Sequence, residues 1–214
     1  MAVPRRRHEA RSSTTSTCWK QPSQARPGSV DRGRVAAAGH SFAGQTAAVL
    51  LGLRVADPRT GVAEDLSDPR ITAGLLLATA GKGGDHLSPF AAENLPWLRE
   101  MDFSHVTAPA LVVAGDKDAL PPTTQGPEWT IEPYALSPGP KSLLTLFDAQ
   151  HSLGGISRYE AAETTDENPA RVALVQQVTL ACLRHVLGID GSAWAAAQAA
   201  LAGTRHPTGR LESK

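Results

Sequence analysis

Two apolar patterns alternate along most of the chain. Residues 35–38 (VAAA), 71–80 (ITAGLLLATA), 110–115 (ALVVAG) and 141–147 (KSLLTLF) are short, nearly continuous apolar runs, most of them closed by Gly or Asp. Runs of this kind suit strands buried on both faces, as in a parallel sheet, rather than strands with one wet face. Between and beyond them the spacing becomes helical. Residues 42–53 are rich in Ala, Val and Leu, residues 170–187 place Val172, Val175, Val178, Leu180, Leu183 and Leu187 at helical spacing before Gly188, and residues 192–201 form an Ala-rich helix with Trp194. Strands alternating with helices predict an α/β fold, a mostly parallel sheet flanked by helices.

The polar stretches punctuate this pattern. Residues 1–30 are rich in Arg, Ser, Thr and Pro without helical or strand periodicity, which predicts a disordered or non-native tail. An Arg- and Ser-rich, acid-poor start also has the character of an organelle transit peptide. Residues 57–70 carry two Asp-Pro pairs and read as turns, residues 83–99 as a loop with a short helix, and residues 121–140 as a long irregular segment over one end of the sheet. Residues 203–214 read as a polar tail, leaving one folded domain over 31–202.

A chain of 214 residues fits one domain with a sizeable core. Its 21 basic and 21 acidic groups balance, but residues 1–34 hold eight of the former and two of the latter, so the body is mildly acidic. A basic excess confined to a tail without interleaved aromatics argues against nucleic acid as a partner. No run approaches a membrane span and the start lacks a secretory core, so the expectation is a cytoplasmic protein with no membrane contact. Cys18 and Cys182 have neither metal-site spacing nor an expected disulfide.

Candidate chemistry lies just past the strands, where parallel sheets collect functional groups. After the first run comes Gly39-His40-Ser41-Phe42-Ala43-Gly44 and then a helix. A G-x-S-x-G turn between strand and helix lifts a serine hydroxyl off the sheet end, and its neighbours must be small because they nearly touch. Ser41 is thus the candidate nucleophile, with Ala43 in place of the second glycine. Such a match is common in a chain this rich in Gly, Ala and Ser, so the reading depends on its partners. A serine hydroxyl needs a base, usually a histidine oriented by a carboxylate. Past ALVVAG stand Asp116 and Asp118, and past KSLLTLF stands His151. Asp118 is preferred because the carboxylate must clear the strand end, which leaves Asp116 as a turn residue. His40 is expected to pack or hydrogen-bond behind the serine, and His86, His105, His185 and His206 take no role.

The order Ser, Asp, His at the ends of three strands resembles the α/β-hydrolase superfamily. Within it, the segments GHSFAGQTAAVLLG, LLLATAGKGGDHLSPFAAENLPWLREMDFS, PALVVAGDKDALPP and SLLTLFDAQHSLGGISRYEAAETTDENP are similar to the bacterial chlorophyllase-like and dienelactone-hydrolase-like esterases, over about residues 30–200. The resemblance implies a serine esterase cleaving a small-molecule ester through an acyl-enzyme: Ser41 attacks, His151 shuttles the proton, Asp118 orients His151, and the Phe42 N–H serves the oxyanion. It implies no metal and no cofactor. It also implies an N-terminally truncated α/β-hydrolase fold, since complete members have several strands and an oxyanion loop before the elbow. The sheet edge so exposed invites self-association into a homo-oligomer or pairing with another chain, the basis of an alternative reading as a catalytically impaired relic. A binding module that holds an acyl ligand uncleaved is a third reading. Phe90, Trp97, Phe103, Trp129 and Tyr134 are the aromatics available to a substrate pocket, and short strand connections leave no room for a large lid, which favours small or exposed esters.

Overall fold

The computed structural model describes residues 31–156, 165–202 and 208–214, and the fold is that of the unit beginning at Arg32. The tail expected over residues 1–30, with Cys18, lies outside the described residues. The described residues form seven strands: β1 (Val35–His40), β2 (Arg54–Val55), β3 (Ile71–Leu77), β4 (Met101–Asp102), β5 (Ala110–Gly115), β6 (Lys141–Leu146) and β7 (Gly209–Ser213). Five helices accompany them: α1 (Phe42–Leu50), α2 (Pro89–Asn94), α3 (Glu128–Leu136), α4 (Pro169–Val186) and α5 (Ser192–Ala202). The main sheet runs β1-β3-β5-β6-β7, parallel except for the antiparallel β6–β7 pair, and β2 and β4 form a separate small antiparallel pair.

The continuous apolar runs reflect a sheet covered on both faces. Leu111, Val113, Leu144 and Leu146 point to one side, against Val175, Val178 and Cys182 of α4 and Trp194 of α5. Alternate residues Val112, Ala114 and Leu143 point to the other, against Ala47 and Ala48 of α1, Phe103 and Trp129. All six residues of β5, the central strand, are buried. Two such layers leave no polar side chain in β5.

Two expectations are corrected. Residues 203–214 do not form only a polar tail, because Gly209–Ser213 pairs antiparallel with β6 and buries Leu211. GRLES offers one large apolar side chain, too little signal for a strand that is stabilised mainly by its ladder with β6. Residues 121–140 are not wholly irregular, because they contain α3 with Pro133 inside it. A proline lacks the donor for an interior helical bond and argues against a helix. Here Trp129, Thr130 and Pro133 are all buried in the core, and that packing outweighs the lost bond.

Among the described residues, β1 pairs only with β3. No described helix is long and apolar enough to cross a membrane, and no described group of three His, Cys, Asp or Glu side chains could hold a metal ion.

Candidate active site

β1 delivers Ser41 at its end. The Ser41 backbone sits at φ 57 and ψ −126, a conformation that costs a non-glycine residue roughly 1–3 kcal/mol. Its N–H donates to the Leu77 carbonyl at 2.8 Å, anchoring the strained residue to β3. A Cβ on Gly39 would lie 2.1 Å from the Ala43 carbonyl oxygen, so that position admits only glycine, whereas Ala43 is exposed. Phe42 begins α1, where the first amides have no intrahelical acceptor.

β5 delivers Asp118 through a tight turn, with the Asp118 N–H on the Gly115 carbonyl at 3.2 Å. β6 delivers His151 through a loop in which Asp148 and Leu153, on either side of it, both have positive φ. The two loops are stitched together by the Lys117 N–H, which donates to the Ala149 carbonyl at 2.9 Å.

These elements bring the three expected side chains into one line. His151 Nε2 lies 2.9 Å from Ser41 Oγ, and His151 Nδ1 lies 3.1 Å from Asp118 Oδ2. Asp118 is only 1% exposed, while the His151 side chain is 28% exposed, so the carboxylate is sealed and the imidazole is open to an incoming molecule. Asp116 has no such contact among the described residues, and its Oδ1 is buried without a partner there. A hydroxyl, an imidazole and a buried carboxylate in series can pass a proton from the serine oxygen to the ring.

His40 does lie behind the pair, but its partner is the loop carrying His151 rather than the serine. Its Nε2–H donates to the His151 carbonyl at 2.7 Å, and the two rings are 4.9 Å apart. A carbonyl can only accept, so this bond assigns the His40 proton to Nε2. Burial lowers the His40 pKa below its ordinary value, outweighing the bond to the His151 carbonyl, which raises it.

One supporting group had no signal in the sequence. Asp166 Oδ2 accepts from the Gln150 N–H at 2.8 Å and the Gly154 N–H at 3.0 Å, bracketing His151. Arg171 fastens this clamp, donating from Nε to the Phe147 carbonyl at 2.9 Å and from Nη1 to the Asp166 carbonyl at 3.1 Å. An aspartate 15 positions after the histidine belongs to no spacing pattern.

The remaining candidates separate. Phe103 and Trp129 are core residues, Tyr134 lies under the Lys214 ammonium, and Phe90 is exposed on α2. Trp97 alone of the five reaches the elbow, its ring 5.6 Å from that of Phe42. His105 pairs with Asp102, His185 stacks on Trp194, His86 lies in a short 3-10 turn, and His206 falls outside the described residues.

No family model matches the chain, and no curated protein does. Among solved structures it is similar to a crystal structure of puromycin hydrolase, at 20% identity and a TM-score of 0.48. It is likewise similar to a serine-to-alanine mutant of that enzyme complexed with PGG, at 18% identity and the same TM-score of 0.48. In both cases the match covers 77% of this chain and 23% of the other, so the chain spans about a quarter of those proteins' length.

Proposed function

We propose that the chain is a serine hydrolase of α/β-hydrolase type that cleaves carboxylic esters through an acyl-enzyme. The observation that carries the reading is the unbroken series Ser41 Oγ, His151, Asp118, with contacts of 2.9 and 3.1 Å. In this reaction Ser41 Oγ forms a bond to the ester carbonyl carbon while its proton passes to His151 Nε2. The carbonyl oxygen takes the negative charge, facing the Phe42 N–H and the N-terminus of α1. Collapse breaks the bond to the alcohol oxygen, which leaves with the proton from His151. Water then repeats the sequence on the acyl-serine, releasing the acid and restoring Ser41. Asp118 keeps the Nδ1 proton facing it and balances the imidazolium formed in each half.

A fluorophosphonate probe tests this, because it phosphonylates an activated serine whatever the natural substrate. Adduct mapped to Ser41 and absent from Ser41→Ala and His151→Ala is the expected result; a folded, soluble chain that stays unlabelled refutes the reading.

A second reading has its own observation. β1 has a ladder on one side only among the described residues, and its sequence VAAAGH places no lysine or proline there to discourage pairing. On this reading the chain associates through β1 with a second copy or another chain and hydrolyses poorly alone. Sedimentation velocity across a dilution series separates the two, since labelling by monomer favours the first and labelling confined to oligomer the second.

A further inference from the structure

A groove of about 500 Å³ runs beside the outer end of α1, within the ~300–1,000 Å³ usual for small-molecule sites. Val49, Leu53, Val55, Val62, Leu66 and Trp97 form its apolar wall. Val62 and Leu66 are 57% and 59% exposed, unusual for large aliphatic side chains so close together in sequence. Trp97 joins this groove to the candidate active site, because its ring also meets Phe42, the residue after Ser41 and itself 51% exposed. Phe42 and Trp97 therefore form an apolar bridge between the elbow and the groove that Val49 lines. Val49 lies seven positions after Phe42, roughly 10 Å along the helix axis.

We propose that this bridge and groove receive a neutral hydrocarbon chain carried by the ester that Ser41 attacks, an inference that rests on the serine-hydrolase reading. Length follows from the 10 Å offset: an acetyl or butyryl group remains at the elbow, and only a longer chain enters the groove. Neutrality follows from the lining. Asp57 and Glu64 border the groove, no Lys or Arg lines it, and Asp57 is already paired with Arg59, so an ionised fatty-acid tail meets negative charge and no compensating cation. Each methylene buried there in the transition state raises kcat/KM by up to about fourfold.

The test compares p-nitrophenyl butyrate with p-nitrophenyl dodecanoate, and ethyl acetate with dodecyl acetate, below their micellar concentrations, on the full chain and on Leu66→Lys. The exposed position of Leu66 lets the variant fold, and melting temperature verifies it. The wild type is expected to prefer the longer member of one series by about tenfold or more, and Leu66→Lys to erase that preference while leaving butyrate turnover within about twofold. Preference in the p-nitrophenyl series places the acyl chain in the groove, and preference in the acetate series places the alcohol chain there. Butyrate turnover without chain preference in either series, or a preference untouched by Leu66→Lys, overturns the groove and leaves the hydrolase reading standing. Absence of all turnover and labelling overturns the hydrolase reading. Calorimetry of dodecyl acetate with Ser41→Ala then decides the groove by itself: failure to bind, or equal binding by the Ser41→Ala, Leu66→Lys double variant, overturns it.

Discussion

Replacing Gly115 with alanine isolates the contact that sets the spacing between Asp118 and His151. Gly115 closes β5 three residues before Asp118, and Ala149 precedes His151 by two. An added Cβ would sit 2.2 Å from the Ala149 carbonyl oxygen and 3.0 Å from that of Gln150. Both obstacles are backbone, so no side-chain rotation relieves them. Ordinary contact begins at 3.4 Å, and the strand end and the loop must therefore part by roughly 1 Å. The same Ala149 carbonyl accepts from Lys117 at 2.9 Å, so the bond joining the two loops stretches as well. Added to the present 3.1 Å between His151 Nδ1 and Asp118 Oδ2, that displacement removes the hydrogen bond.

Overpacking of this kind costs about 1–3 kcal/mol of stability. A misplacement of ~1 Å in a catalytic pair costs about 100-fold in rate, and full loss of the carboxylate's orienting role about 10,000-fold. Gly115→Ala is therefore expected to lower the fluorophosphonate labelling rate between those limits, with Asp118→Asn marking the lower one. Urea unfolding run in parallel verifies that the variant remains folded at the assay temperature. A folded Gly115→Ala that labels within about threefold of wild type refutes the claim that the β5–Ala149 approach positions the pair.

Asp166→Ala strands the Gln150 and Gly154 amides and removes the carboxylate 3.8 Å from Arg171 Nη1, while Arg171 keeps its bonds to the Phe147 and Asp166 carbonyls. It is expected to cost about 1–3 kcal/mol in urea unfolding and to slow Ser41 labelling, with Asp166→Asn recovering most of both, since the amide keeps one acceptor oxygen. His40 supplies a pH signature. Its native pKa is lowered by burial, so as pH falls below the ordinary 6.5 the unfolded chain takes up a proton that the native state resists. This contribution to stability is complete above pH 6.5 and is lost as pH falls through the native value, and urea midpoints of His40→Asn between pH 5 and 7.5 should show a shallower slope than wild type.

The parts legible in the sequence are those that burial writes into it directly. β5 occupies residues 110–115 as expected because every one of its side chains is enclosed, leaving no ambiguity of period. The elbow was legible because the close approach at Gly39 restricts residue type at a fixed offset from Ser41. β7 was not, because an edge strand is held by ladder bonds that any residue can make. α3 was hidden by Pro133, whose local cost is met by tertiary burial that no local pattern encodes. The Asp166–Arg171 clamp is a contact between segments of which sequence spacing holds no trace, and for His40 the sequence suggested its place behind the serine but not its partner, the His151 carbonyl. Among the five aromatics, the sequence could not separate Trp97, which meets Phe42, from Trp129, which is core.

The sheet order makes those unread contacts necessary. Ser41 comes from β1 and His151 from β6, three strand spacings apart, roughly 14 Å across the sheet. No histidine side chain spans that, so the loop after β6 must lean back over the ends of β5 and β3. β3 lies in the path and ends by turning, with Ala78 at φ 44 and its N–H on the Val113 carbonyl at 2.8 Å. The leaning loop is then fastened on three sides: to β5 through Lys117, to the start of α4 through Asp166 and Arg171, and to the elbow through His40. The His40 bond ties the loop carrying His151 to the residue preceding Ser41, so a displacement of the elbow pulls on the His151 backbone. The 2.9 Å contact between serine and imidazole is thus held by the backbone on both sides, and rotation of either side chain alone is not what sets it.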